Sequence, residues 1–145
     1  MANEMETSIL KTVRKMIGPS QDYEYFDTDL IIFINTAIGI LNTLGVGDPN
    51  DPFKITGESE TWSDYLGEEY GDLEMIKTYI VLRVRLLFDP PASSFVLDAY
   101  KKEIDELGFR ISVSVDPSRI NSEGWYKCYQ ILQLLITMED LGNQY

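Results

Sequence analysis

Thr78-Tyr79-Ile80-Val81-Leu82-Arg83-Val84-Arg85-Leu86-Leu87-Phe88-Asp89-Pro90-Pro91 is the stretch on which the class of this chain turns. Taken with the residues before it, Leu73, Ile76, Tyr79, Ile80, Val84 and Leu87 recur at the spacing that lays one apolar stripe along a helix, with Leu82 and Leu86 beside it. That spacing predicts a helix from an Asp72 cap to Phe88. Asp89-Pro90-Pro91 should end it, because the residue before a proline avoids the helical region and proline has no N–H to donate. Ser93 or Ser94 then caps another helix through about Leu107, with Phe95, Val96, Tyr100, Ile104 and Leu107 inward. Helix, two-proline corner and helix make a tight helical hairpin.

Working toward the N-terminus, Thr7 or Ser8 should cap a short helix whose Ile9, Leu10, Val13, Met16 and Ile17 share one face, stopped by Gly18-Pro19. Asp27 or Thr28 should cap a helix to about Leu44, with Gly45 just past its end. Leu30, Ile31, Phe33, Ile34, Ala37, Ile38, Leu41 and Leu44 sit at helical spacing, and Ile32 and Ile40 widen the stripe. A helix apolar around most of its circumference belongs at the centre. Between Gly45 and Gly71 the periodicity breaks, beginning with turn-forming Gly45-Val46-Gly47-Asp48-Pro49. Trp62, Tyr65, Leu66 and Tyr70 are anchors there, with one helical turn starting near Ser63. Residues 46–75 hold nine acids against one lysine, Lys54. A connection this long is usually functional or mobile, and its segment 46–71 is a candidate for ordering on contact with a partner.

Working toward the C-terminus, Phe109-Arg110-Ile111-Ser112-Val113-Ser114-Val115 alternates at period two, the pattern of a half-buried strand. A single strand leaves its backbone unpaired. The segment is therefore either a strand that pairs with another subunit or partner, or an extension of the helix before it. Trp125 to about Leu141 reads as a last helix. The expected fold is mainly α: a small bundle of four to five helices, with a long acidic loop and one candidate lone β-strand at 109–115.

Composition narrows the chemistry. The 145 residues carry 24 acids against 12 bases, a formal charge of −12, with no histidine and one cysteine, Cys128. Histidine-dependent triads and imidazole zinc sites are thereby excluded, as are cysteine clusters for zinc or iron–sulfur. A pI near 4.3 argues against wrapping DNA, whose phosphates need Lys and Arg. Glu68, Glu69, Asp72 and Glu74 lack the loop spacing and glycine of a calcium site. No glycine-rich phosphate loop or nucleophile motif is present. The expectation is a protein that is not an enzyme and needs no cofactor or metal. The start of the chain shows no secretory signal, no stretch is long and apolar enough to span a membrane, and a lone cysteine fits a reducing cytoplasm.

The Thr78–Pro91 segment closely resembles part of the head–tail connector (neck adaptor) proteins of tailed bacteriophages. Ile9–Gly18, Tyr25-Phe26-Asp27-Thr28-Asp29, Leu44-Gly45-Val46-Gly47, Trp62-Ser63-Asp64 and the helix after Pro91 are also similar to that family. The likeness covers about residues 5–115 and departs over Asp116–Tyr145. It implies a small helical protein in the virion neck, assembled in the host cytoplasm into a ring of typically twelve copies beneath the portal protein. Such a ring docks a stopper or tail-completion protein, and DNA passes through it without specific binding. On this reading residues 1–108 are the connector core, and 109–145 are a C-terminal docking segment. Arg85, Leu86, Leu87, Phe88, Asp89, Pro90 and Pro91 form a helix corner. Arg83, Arg85, Ile111, Val113, Val115, Trp125, Tyr126 and Tyr129 are candidate interface residues. Glu58, Glu60, Asp64, Glu68, Glu69 and Asp72 are a candidate acidic face toward the channel or a partner.

Each has a plainer reading. Arg83 and Arg85 lie about 200° apart on a helix, so only one faces the bundle, and either could bridge to Asp89 or Asp98 within the subunit. The acidic segment can be a solvated loop, and the C-terminal aromatics can be core. From a different class, the chain could be a small acidic regulator or DNA mimic that fills a basic partner site.

Overall fold

The computed structural model describes residues 7–18, 24–68 and 70–116, together with Gln133 and Ile136. Among them run five helices: α1 (Ile9–Ile17), α2 (Asp27–Thr43), α3 (Trp62–Leu66), α4 (Leu73–Phe88) and α5 (Ser94–Val115), with a 3-10 turn at Glu24–Phe26 before α2. No strand is present among the described residues, and no helix there is long and apolar enough to cross a membrane. Gln133 and Ile136 are helical; the rest of the helix expected at 125–141 lies outside the described residues.

The apolar periodicity dictates the core. Leu30, Ile34, Ala37, Ile38 and Leu41 of α2 are buried against Ile76, Tyr79, Ile80, Val81 and Val84 of α4. Ile9, Leu10, Val13 and Ile17 of α1, and Ile104, Leu107 and Ile111 of α5, close the cluster. Phe26, just before α2, packs edge-on against Phe88 at the end of α4, with ring centres 5.2 Å apart. Gly45, just past α2, approaches Val115 at the end of α5. Helices α2 and α5 thus start at one end of the bundle, where α4 finishes, and both finish at the other. Asp89–Ser93 make the turn at the first end, which we call the corner end.

The capping expectations hold in part. The Ser8 Oγ accepts the Lys11 N–H at 3.3 Å, and Ser93 caps α5. Asp27 and Asp72 lie where caps were expected, but neither makes a side-chain cap bond. Asp27 is held by Arg14, and Asp72 receives the Ser114 hydroxyl. Met16, Leu87, Phe95 and Val96, expected inward, are exposed. The α5 stripe touches the core only from Ile104 onward, because the first turns of that helix project past the end of α2 and α4.

The strand expected at 109–115 is helix. Period two and period 3.6 overlap there: Ile104, Leu107, Ile111 and Val115 continue the α5 stripe at i, i+3, i+7 and i+11. Ile111 and Ser112 are fully buried, and the Ser112 hydroxyl donates to the Phe109 carbonyl at 2.7 Å. A helix already nucleated upstream adds one backbone hydrogen bond per residue, whereas a lone strand leaves its groups unpaired. Gly108 does not stop α5; a Cβ there would meet Tyr79 at 3.5 Å, so it lets the two helices approach. The helix also crosses the 108/109 division without a break.

Segment 46–71 is pinned along its length. It leaves the far end beside Asn42, runs back beside α2, and exchanges two hydrogen bonds between Ile55 and the Asn35 side chain (2.8 and 2.9 Å). Glu60 and Trp62 then pair with Thr7 and Ile9 through an antiparallel bridge at Ser8–Thr61. The Trp62 indole donates to the Thr12 hydroxyl at 3.1 Å, and Phe53 stacks on buried Tyr65. These anchors remove the expectation that the segment orders only on contact.

Gly45 offers a sharp test of how α5 is seated. Its φ is +105°, and an added Cβ would lie 2.9 Å from Val115 Cγ1. Gly45→Ala should cost about 1–3 kcal/mol through strained backbone and contact together. Thermal unfolding should show the loss, amide exchange should speed up over residues 111–116, and a second change, Val115→Ala, should recover part of it.

Candidate functional site

Arg14 organises the side of the molecule where α1, the start of α2 and the long segment meet. Its side chain is 1 % exposed. Nε donates to Asp27 Oδ1 at 3.1 Å, and Nη2 donates to Asp27 Oδ2 at 2.6 Å and to Glu58 Oε1 at 3.0 Å. Burial works against the charge, but the hydrogen bonds and charges of Asp27 and Glu58 outweigh it and hold the pKa above its ordinary value. Glu58 also lies 3.9 Å from Lys11 Nζ. The sequence reading passed over Arg14, because it flanks an apolar stripe and its partners lie 13 and 44 residues away.

The acidic candidates separate by what they hold. Glu58 belongs to the Arg14 cluster. Glu60 accepts from the Thr56 hydroxyl (2.5 Å), the Thr56 N–H (2.9 Å) and the Gly57 N–H (3.2 Å). The Thr56 hydroxyl is the main cause, ahead of the opposing desolvation, of a carboxyl pushed from 4.5 down to about 2. Asp64 and Thr61 form a capping box that starts α3, with Thr61 N–H donating to Asp64 at 2.9 Å and Asp64 N–H to Thr61 at 3.1 Å. Asp72 receives the Ser114 hydroxyl. Four of the six therefore brace the chain itself. Glu68 is exposed, and Glu69 lies outside the described residues. Among the described residues no cluster of three or more ligating side chains could hold a metal ion.

At the helix corner, Asp89 closes α4 by donating its N–H to the Arg85 carbonyl at 2.9 Å. Leu86 and Phe88 pack on the core, while Leu87 is 56 % exposed. Pro90 is exposed and Pro91 half-buried in the turn. Arg83 Nε donates to the Tyr79 hydroxyl at 2.8 Å. Arg85 lies 5.9 Å over the Tyr100 ring, and its buried Nε has no hydrogen-bond partner. Neither arginine bridges to Asp89 or Asp98, as the plainer reading expected.

Of the other interface candidates, Ile111 is core, and Val113 and Val115 are half-buried on the last turns of α5. Val113 borders a shallow hollow with Met75, Phe109, Arg110 and Ser114. Trp125, Tyr126 and Tyr129 lie outside the described residues. The arrangement offers surfaces for contact and rigid bracing.

Comparison with known proteins agrees with this geometry. A family model for phage connector proteins matches residues 9–118, from the first residue of α1 to just beyond α5. No curated protein and no solved structure gives a significant match. The match covers well over half of the chain, and the chain belongs to the phage connector protein family.

Two outcomes follow from the bracing. Arg14→Leu should cost about 3 kcal/mol, the lower end for breaking a buried pair, because Asp27 and Glu58 keep part of their surface in water. The shift in denaturant midpoint measures it. Glu60 has a folded pKa below its unfolded value near 4.5, so its contribution is complete above that pH and is lost as pH falls toward about 2. The stability gap between wild type and Glu60→Gln should be widest at neutral pH and close toward pH 2 in melts across that range.

Proposed function

We propose, on the premise that the chain is a phage connector, that it is a structural virion protein of the neck between capsid and tail. Copies close into a ring beneath the portal protein, of about twelve by the family's habit, which prolongs the DNA channel and docks the stopper or tail-completion protein. The observation that carries this reading is the family match spanning all five helices. The protein acts by assembly, with no chemical step and no cofactor. A chain of charge −12 repels phosphate, so a lumen lined by its exposed carboxylates lets DNA slide without sticking.

Residues 117–145, with Trp125, Tyr126 and Tyr129, serve as the docking segment, since Trp and Tyr are favoured at interfaces. The burial of Ile111 and Ser112 supports drawing its boundary there rather than at 109.

The test is a phage lacking this protein, complemented with variants. Loss of the protein should leave DNA-filled heads without tails, and the full chain should restore tailed particles. A chain ending at Asp116 should keep its helical circular dichroism and cooperative melt yet restore few particles. A chain ending at Gly108 should fail to melt cooperatively, because it lacks Ile111. Normal tailed particles in the absence of the protein would overturn the reading.

A further inference from the structure

The two ends of the bundle differ in a way that internal packing leaves unexplained. Six large apolar side chains are exposed among the described residues: Met16, Tyr25, Ile32, Leu87, Phe95 and Val96. All lie within two turns of the corner end. Met16 is in the last turn of α1, beside the Arg14–Asp27 pair; Tyr25 and Ile32 flank the start of α2; Leu87, Phe95 and Val96 flank the turn from α4 to α5. Phe95 is 81 % and Tyr25 77 % exposed. Apolar side chains gathered on one surface mark a contact site, whereas scattered ones do not.

The same end holds a cation without a counter-charge. Arg14, Arg83 and Arg110 each make a side-chain hydrogen bond. Arg85 makes none, although its Nε is buried beside Tyr100. A buried guanidinium nitrogen is ordinarily paired, and a carboxylate suits it best. The opposite end, about 25 Å away along the 17 residues of α2, supplies carboxylates that brace nothing. Asp51 and Glu68 are exposed there: Asn42, in the last turn of α2, binds the Asp48 carbonyl at 3.0 Å, and Glu68 lies between Tyr65, which faces Gly47, and the start of α4.

We propose that the corner end of one copy seats on the acidic far end of the next, a head-to-tail contact. Leu87 and Phe95 bury against the neighbour, and Arg85 donates to a carboxylate of its Asp51–Glu68 surface. The occupant is a second copy because the chain carries the complementary charge in excess, on a surface its own fold leaves unused. Two different patches meeting make a heterologous contact, the kind that closes into rings. The proposal rests on the connector reading and names the surface by which that ring would close.

Full-length protein with Cys128→Ser, Leu87→Cys and Glu68→Cys, mildly oxidised with diamide at high concentration, should give a ladder of disulfide-linked oligomers. Neither single cysteine should give one. In sedimentation velocity of the otherwise unmodified chain, Arg85→Glu should weaken self-association at least tenfold, and Arg85→Lys much less. Adding Asp51→Lys and Glu68→Lys to Arg85→Glu should bring it back to within threefold. Matching circular dichroism and melts show that the Arg85 variants fold. The proposal is overturned by absence of the ladder, by dimers from Leu87→Cys alone, or by self-association indifferent to Arg85→Glu. If the ladder is absent while the chain still restores tailed particles, the connector reading stands and the corner end faces another virion protein.

Discussion

A guanidinium almost wholly removed from water, gripped by two carboxylates from distant parts of the chain, is the constraint on which this architecture depends. Arg14 joins α1 to the first residue of α2 through Asp27 and to the long segment through Glu58. Without that junction α1 is a nine-residue helix, too short to persist on its apolar face alone. With it, the N-terminus of the segment's return strand pairs with Thr7–Ile9, and Trp62 reaches Thr12. Three pieces of weak local structure thereby become one rigid wall against α2 and α4. A buried ion pair adds little net energy over a packed apolar substitute, so its value here lies in fixing which pieces meet.

The carboxylates show how one composition serves two purposes. Acidity in residues 46–75 reads from the sequence as a charged surface, yet Glu58, Glu60, Asp64 and Asp72 each satisfy a donor within the chain. The loop folds without an apolar core of its own because its backbone donors are answered by these side chains and by Asn35. The charge left over sits at Asp48, Asp51 and Glu68, away from the corner end. The protein is thus chemically polar along its axis, which suits a part that must present different surfaces to different neighbours.

Much of the fold was legible because the helices are strongly periodic. The stripes of α2 and α4, the stop at Asp89-Pro90-Pro91 and the turn at Trp62–Leu66 all follow from spacing and turn chemistry. The 109–115 segment was misread for a physical reason: Phe109, Ile111, Val113 and Val115 satisfy period two locally, and only the stripe inherited from Ile104 and Leu107 selects the helix. Gly108 looked like a terminator, but its missing side chain serves the approach of α5 to Tyr79. Arg14 was illegible because nothing local marks an arginine beside an apolar stripe as buried; its partners are set by tertiary structure. The outward turn of Phe95 and Val96 was equally hidden, since a stripe tells which face is apolar and not where the core beneath it ends.

That last point bears on what kind of protein this is. A helix that carries its apolar face beyond the core that could cover it keeps exposed surface at a cost in solubility, and an arginine left without a carboxylate keeps a buried donor unanswered. Neither feature stabilises the isolated subunit. Both are relieved if a second surface arrives bearing apolar contacts and a negative charge. A bundle whose interior is tightly braced by Arg14, Asn35 and the Thr61–Asp64 box, and whose residual defects gather at one end, has its rigidity where the subunit must hold shape and its unsatisfied groups where it must be met. That division is what a connector requires, because a ring under the load of a capsid transmits force through stiff subunits and holds together through the ends that stiffness leaves exposed.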